Sequence, residues 1–208
     1  MAVDDRRIRV VLGLGNPGAQ YSDTRHNVGF RVVQELARRR GVQLGLGECN
    51  SELVELAAED ETGTPNLLLV APQTFMNRSG FAARCLAERR AIEAADFLVV
   101  YDEVHLPLGA LRLRRKGSPA GHRGMESILE NFGTAEVPRL RLGVAPLDDE
   151  VSGEELVDFV LADFASEEAA AVDEMIATAA DACEVWAVDG TEAAMQRFNR
   201  AAAPGSGS

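Results

Sequence analysis

Hydrophobic residues along this chain fall into short continuous runs that alternate with longer amphipathic stretches. Short apolar runs bounded by glycine, proline or polar residues predict buried strands, and apolar positions three and four apart predict helices. Because the two kinds alternate, we predict an α/β fold, a single-domain three-layer α/β/α sandwich around a mixed, largely parallel sheet. The predicted strands are 8–14, 53–58, 66–71, 97–101, 111–115 and 139–144, and the predicted helices are 28–40, 80–90, 122–131, 166–188 and 191–200.

The long helix predicted at 166–188 has the clearest pattern of the set. Ser166 is a good N-cap, and Glu167 and Glu168 place acids at the positive end of the helix dipole. The apolar side chains at helical spacing should face the core. They are Val172, Met175, Ile176, Ala179, Ala180, Cys183 and Trp186.

Size and composition are those of a globular protein of one domain. The chain has 208 residues, of which 46% are hydrophobic and 26% charged, enough for a full core. We expect a single catalytic domain over residues 1–200 and a disordered tail over 201–208. No apolar run has the length of a membrane span, and residues 1–7 lack a signal-peptide core. We therefore expect a cytoplasmic protein.

The cysteines and histidines offer no obvious framework. Cys49, Cys85 and Cys183 are far apart and odd in number, which suggests a reducing cytoplasm and neither a disulfide framework nor a metal knuckle. The three histidines are also scattered along the chain, so no metal-ligand spacing exists. We expect no metal and no cofactor.

Charge is distributed unevenly along the chain. The net charge is −12, but residues 148–208 hold 15 acids and two bases. The first 147 residues hold 18 acids and 19 bases, so the acidic total does not exclude a nucleic-acid partner for that part. Arg112 and Arg114 should share one face of a strand, because side chains alternate. A solvated edge strand protected by charge explains them equally well.

The most informative segment is a buried strand that runs into a glycine turn and a polar loop. The sequence Gly-Leu-Gly-Asn-Pro-Gly occupies 13–18, and Tyr21, His26 and Asn27 follow. Sites of α/β folds lie at the carboxyl ends of strands, and histidine is the side chain best suited to move protons near neutral pH. We interpret Asn16 and His26 as half of an active site.

The same glycines also match the dinucleotide-binding pattern Gly-x-Gly-x-x-Gly. That function requires a helix opening at Gly18 and an acid about twenty residues on, at the end of the second strand. Pro17 and the polar run 20–25 delay the predicted helix, and Glu35 lies inside it. We therefore favour the active site over the nucleotide site.

Three later segments carry side chains that could complete the active site begun by Asn16 and His26. Asn77 follows the strand 66–71 and a Phe-Met pair, although it is equally good as a helix N-cap. Asp102 ends the apolar strand 97–101 and is placed to accept a hydrogen bond from an imidazole N–H, although an aspartate there also initiates turns. A glycine-containing loop at 117–121 leads to His122, which is as well suited to hydrogen bonding at the helix start as to contacting a substrate.

Together these segments closely resemble bacterial peptidyl-tRNA hydrolases. They are Gly-Leu-Gly-Asn-Pro-Gly at 13–18, Arg-His-Asn-Val-Gly at 25–29, Thr-Phe-Met-Asn-Arg-Ser-Gly at 74–80, Tyr-Asp-Glu at 101–103 and Gly-His at 121–122. Their order and spacing match over about 8–199. The resemblance implies a monomeric, metal-independent hydrolase that cleaves the ester between a peptide and the 3′ ribose of tRNA.

The resemblance also implies roles for individual residues. His26 would be the general base, with Asp102 orienting and polarising it. Asn16 and Asn77 would hold the peptide backbone or the developing oxyanion. The further substrate contacts would be Tyr21 and Met76, with His122 and Arg123, and the tRNA phosphates would be bound by Arg112, Arg114 and Arg141.

This chain departs from the family pattern around the start of the helix predicted at 122–131. Arg123 stands where the family has an asparagine, and Pro119 and Ala120 stand where glycines are common. His105 stands where the family often has an acid. A guanidinium donates but cannot accept, so Arg123 cannot replace a carboxamide; it could reach a 3′-terminal phosphate or point away. An alternative function is therefore an RNA-binding relative, structural or splicing-related, that has lost turnover.

Overall fold

The structure is a computed structural model that describes residues 7–58, 65–146 and 155–199; the predicted disordered tail lies outside these residues. The strands and helices alternate along the chain. The strands are β1 Ile8–Gly13, β2 Gly45–Leu46, β3 Ser51–Leu56, β4 Asn66–Pro72, β5 Phe97–Pro107, β6 Leu111–Arg114 and β7 Arg139–Ala145. The helices are α1 Val28–Arg39, α2 Ser79–Arg90, α3 Arg123–Phe132, α4 Glu155–Leu161, α5 Ala169–Asp189 and α6 Thr191–Phe198.

One mixed sheet joins all seven strands in the order β2-β3-β4-β1-β5-β7-β6. The four central strands β4, β1, β5 and β7 run parallel. The outer strands on both sides pair antiparallel to their neighbours. The predicted α/β class with a mixed sheet is therefore confirmed.

Helices cover both faces of the sheet and bury a separate core on each. On one face, α1, α5 and α6 pack against residues such as Val11, Leu69 and Leu98. On the other, α2 and α3 pack against residues that alternate with these along the strands, such as Val10 and Leu12. This alternation of side chains gives the three layers. All seven core positions predicted for the long helix are buried.

Element boundaries differ from the predicted ones where the backbone continues past the apolar run. Strand β5 extends to Pro107, because its pairing with β7 carries on beyond the polar residues that end the hydrophobic pattern. Ser166 is not the N-cap of a long helix. A 3-10 turn, Ser166–Glu168, comes first, and its Glu168 carboxylate accepts a hydrogen bond from the Ala165 N–H. The sequence analysis did not predict β2 and α4, because elements of two and seven residues are too short to show a clear periodicity.

Close contact between β1 and the start of α1 explains two of the glycines. A Cβ on Gly13 would lie 2.1 Å from the carbonyl oxygen of Gly29, and a Cβ on Gly29 would lie 2.4 Å from that of Val100. Any larger side chain at either position would push α1 off the sheet. The helix therefore starts directly over the carboxyl end of β1 and the neighbouring part of β5. Only a three-residue 3-10 turn, Ala19–Tyr21, follows Gly18, where the dinucleotide pattern would require an α-helix.

The prediction that the cysteines form no disulfide is wrong. Cys49 and Cys85 are bonded, with their Cα atoms 5.7 Å apart, and Cys183 is buried and free. The bond ties the turn between β2 and β3 to α2. Separation in sequence is a poor guide to this pair, because the fold brings two cysteines that are 36 positions apart into contact. Among the described residues, no helix is long and apolar enough to cross a membrane.

We expect reduction of the Cys49–Cys85 bond to lower the free energy of unfolding by about 2–4 kcal/mol, because the bond closes a loop of 36 residues whose entropy the unfolded chain regains. Urea denaturation with and without dithiothreitol measures the change. The double variant C49S/C85S should match the reduced protein and show no response to dithiothreitol. Equal midpoints for the oxidised and reduced protein would contradict the expectation.

Candidate active site

A cleft of about 820 Å³ lies at the carboxyl end of the central strands, the edge at which α/β folds bind their ligands. Strands β1 and β5 deliver Asn16 and Asp102 to it, and the loop before α1 delivers His26. Helix α3 forms one side and α4 the other. The lining of the cleft combines a few polar groups with apolar side chains, as in most small-molecule sites.

Two histidines converge on the buried carboxylate of Asp102. The His26 Nδ1 lies 2.9 Å from Oδ1 and 3.0 Å from Oδ2 of Asp102. The His122 Nε2 lies 3.0 Å from Oδ1. The centroids of the two imidazole rings are 5.0 Å apart, and Tyr101 packs against His122. Asp102 lies within β5 and therefore does not initiate a turn.

The hydrogen bonds assign a tautomer to each imidazole. His122 is the N-cap of α3, and its Nδ1 accepts from the Met125 N–H at 3.1 Å. Its proton is therefore on Nε2 and points at Asp102. His26 donates from Nδ1 to the same carboxylate, which leaves the lone pair of its Nε2 available in the cleft, the arrangement that a general base needs.

Charge and burial together shift the titration of this pair. Burial of His26 opposes protonation, but the attraction and hydrogen bond of Asp102 outweigh it and raise the His26 pKa above its ordinary value. Burial raises the pKa of Asp102, yet the two facing histidines outweigh it and hold the pKa of the carboxyl well below the usual range. Asp102 is therefore ionised at neutral pH and polarises His26.

Asn16 is locked between two neighbouring segments. Its backbone N–H donates to Oδ1 of Asn27, and its carbonyl accepts from Nδ2 of Asn27, both at 2.9 Å. Its own Oδ1 accepts from the Met76 N–H at 2.9 Å. The Asn16 Nδ2 has no partner among the described residues and lies in the cleft lining. Asn27, which the sequence analysis gave no role, thus orients Asn16.

Asn77 lies on the cleft and is exposed. It is not a helix cap, because it sits inside the 3-10 turn Met76–Arg78 and Arg78 occupies the N-cap position of α2. Met76 is buried but contributes to the cleft lining, and Phe75 beside it is 58% exposed. The carboxamide of Asn77 therefore faces whatever occupies the cleft.

The arginines predicted to bind phosphate lie outside the cleft on one face of the sheet. Arg112 is opposite Arg141 in the register of β6 and β7, so the two side chains point the same way, together with Arg114. Burial, with Arg112 and Arg141 as nearby cations, lowers the Arg114 pKa. Glu103 holds Arg141 through its Nε at 2.7 Å. We call Arg112, Arg114 and Arg141 the basic face.

Two other predicted contacts stand apart from the reaction centre. Tyr21 lies in a 3-10 turn and is not part of the cleft lining. Arg123 lies at the cleft rim with its side chain 76% exposed, and its Nη1 donates to Glu126 at 3.2 Å. Ala120, at a position where the family commonly has glycine, adopts φ 49°, in the left-handed region that favours glycine.

The histidines are scattered in the sequence, which argued against a metal site, but the fold brings two of them together. Nitrogen atoms of His26 and His122 and the Asp102 carboxylate lie within 4.8 Å of one another. However, the His122 Nδ1 accepts the α3 cap bond, so its Nε2 carries a proton and has no lone pair to ligate a cation. The donor set fits a hydrogen-bonded triad better than a metal site.

The fold and the site together define an α/β protein whose cleft holds a carboxylate-bound imidazole, an arrangement suited to general acid–base catalysis. Comparison with known proteins narrows this class. The family model for peptidyl-tRNA hydrolase matches residues 10–205. The chain belongs to the peptidyl-tRNA hydrolase family, whose members hydrolyse an ester bond, and the non-catalytic alternative is not favoured.

Individual relatives cover nearly the whole chain. It is 41% identical over 190 residues to the peptidyl-tRNA hydrolase of Methylacidiphilum infernorum, covering 91% of this chain and 97% of the relative. It is 42% identical over 191 residues to that of Chloroflexus aggregans, covering 91% and 98%. The crystal structure of the Acinetobacter baumannii peptidyl-tRNA hydrolase, 29% identical, superposes with a TM-score of 0.83 and covers 93% and 95%.

We expect the His26 pKa to lie above its ordinary value of 6.5 and activity to fall as the pH drops through it, since only neutral His26 accepts a proton. In D102N the attraction is lost while the burial remains, so the His26 pKa should fall and the acid limb of the rate profile should move to lower pH. NMR titration of the imidazole and the pH dependence of kcat/KM measure the two shifts. An unchanged His26 pKa in D102N would refute the coupling.

Proposed function

We propose that this chain hydrolyses peptidyl-tRNA, with His26 activating the attacking water. The observation that carries the proposal is the His26–Asp102 hydrogen bond, because it leaves Nε2 unprotonated at the cleft surface. A water bound there loses its proton to Nε2 as it attacks the ester carbonyl. Asp102 stabilises the imidazolium that forms. The tetrahedral intermediate then collapses, the bond between the acyl carbon and the 3′ oxygen of the ribose breaks, and the imidazolium returns its proton to that oxygen, which releases the peptide acid and the free tRNA.

The two asparagines supply the polar groups that the tetrahedral intermediate and the peptide need. The Met76 N–H donates to Oδ1 of Asn16 and fixes the orientation of its carboxamide, so the Nδ2 donors of Asn16 suit a developing oxyanion in the cleft. Among the described residues none hydrogen-bonds the Asn77 carboxamide, so its donor and its acceptor both suit a peptide bond. Met76 provides apolar surface beside them.

The basic face is the proposed contact for tRNA phosphates. Arginine forks match phosphate oxygens, and among the described residues neither Arg112 nor Arg114 has an ion-pair partner. Glu103 joins this face to the cleft, because it binds Arg141 and also lines the cleft. Arg123, Tyr21 and His122 remain proposed substrate contacts. The setting proposed is a cytoplasmic monomer that recycles tRNA from stalled or prematurely released peptidyl-tRNA.

We expect the protein to release the acyl group from an N-acetyl-aminoacyl-tRNA but not from the free aminoacyl-tRNA, because a free amine lacks the first peptide bond that Asn16 and Asn77 would hold. The variant H26A should lose about 10²–10⁴-fold in kcat with little change in melting temperature. Ester cleavage is followed by release of the labelled acyl group. Normal turnover by H26A would remove His26 from the mechanism.

We expect R114A to weaken tRNA binding and to flatten its salt dependence, because each lost phosphate contact lowers the slope of log Kd against log salt by about 0.7–0.9. R38A is the matched control, since Arg38 is exposed on α1, across the sheet from the basic face. Fluorescence titration of labelled tRNA at several salt concentrations measures the slope. Equal slopes for R114A and R38A would contradict the phosphate contact and leave Arg112 and Arg114 as solvated charges on an edge strand.

A further inference from the structure

Helix α4 forms the apolar wall of the cleft but has little to hold it in place. Leu156, Val157, Val160 and Leu161 all line the cleft. The helix has seven residues, and none of them is fully buried. A helix this short is not stable through its own hydrogen bonds, so contacts from elsewhere must fix its position.

Phe159 packs against the hydrophobic core, and the polar contacts come from Arg25, the residue before His26. Arg25 is 7% exposed. Its backbone N–H donates to the carbonyl of Ala162 at 3.1 Å, and its guanidinium Nη1 donates to the carbonyl of Asp163 at 2.6 Å. These carbonyls directly follow α4, where a cation satisfies the free acceptors of a helix end.

The rest of the guanidinium ties α4 to the start of α5. It lies 4.5 Å from the ring centroid of Phe159, on α4, and 4.9 Å from that of Phe164. Its Nη2 donates to the Glu168 carboxylate at 2.6 Å. One side chain therefore holds the helix, the chain that leaves it and the turn before α5, with its charge paired and stacked.

The direction of the substrate follows from the proposed function, on which this inference rests. Glu103 lies where the cleft meets the basic face, so the nucleic acid leaves His26 on that side. The acyl group must then extend to the opposite side, between α3 and α4. Exposed apolar side chains such as Val157 and Leu161 are the surface it meets there.

We propose that Arg25 is a positioning residue that sets the α4 wall relative to His26 and thereby determines affinity for acyl groups with large apolar side chains. Because Arg25 and His26 are adjacent in the chain, the contacts of Arg25 fix the position of α4 relative to His26. The residue touches neither the ester nor the tRNA.

The test compares two substrates on one tRNA body, N-acetylphenylalanyl-tRNA and N-acetylglycyl-tRNA. In R25M the KM for the phenylalanyl substrate should rise about tenfold, since burial of one apolar side chain is lost. The KM for the glycyl substrate and both kcat values should stay within about twofold. R25K, which keeps the charge and part of the donor set, should recover part of the loss.

R31M is the matched control, because Arg31 lies on α1 and pairs with Asp173 on α5 but not with α4; it should leave both KM values unchanged. If R25M does not fold, E168Q weakens the same anchor and should show the same split at smaller size. An equal effect on both substrates, or a loss confined to kcat, would overturn the role of Arg25. If the wild type cleaves neither substrate, the proposed function itself fails.

Discussion

The Asp102 carboxylate is the group around which the site is organised. It is buried in the middle of β5, and it accepts hydrogen bonds from two imidazoles that arrive from different segments. A buried carboxylate without such partners would be costly to ionise. Each histidine in turn depends on it, because the carboxylate fixes which nitrogen carries the proton. Removing any member leaves the others unsatisfied, so the three are best regarded as one unit.

Close packing of the backbone makes this unit possible. Gly13 and Gly29 allow α1 to start directly against β1 and β5, and this contact brings the loop with His26 over the end of β5. On the other side, the cap that His122 provides to α3 orients its second nitrogen toward Asp102. Structural roles and chemical roles are therefore carried by the same residues, which explains why so many polar groups occur at one edge of the sheet.

Under the proposed function, substrate recognition divides between two surfaces, the basic face outside the cleft and the wall formed by α4 inside it. The basic face is suited to phosphates, and the wall formed by α4 is suited to apolar acyl groups. Arg123 lies at the rim of the cleft, paired with Glu126, in a position where a carboxamide is usual for the family. Its exposed guanidinium leaves the triad unaltered. The departure from the family pattern therefore concerns binding more than the chemical step.

Local sequence patterns were sufficient for the order of the main strands and helices, because periodicities of two and 3.6 residues reflect burial within each element. The motifs around His26, Asn77 and Asp102 predicted residues that the fold brings together around one cleft. Contacts between distant segments were not accessible in this way: the Cys49–Cys85 bond, the second histidine on Asp102 and the anchoring of α4 by Arg25. They depend on how strands order in the sheet and how helices pack on it, and no local pattern encodes the distance between two segments that only packing brings together.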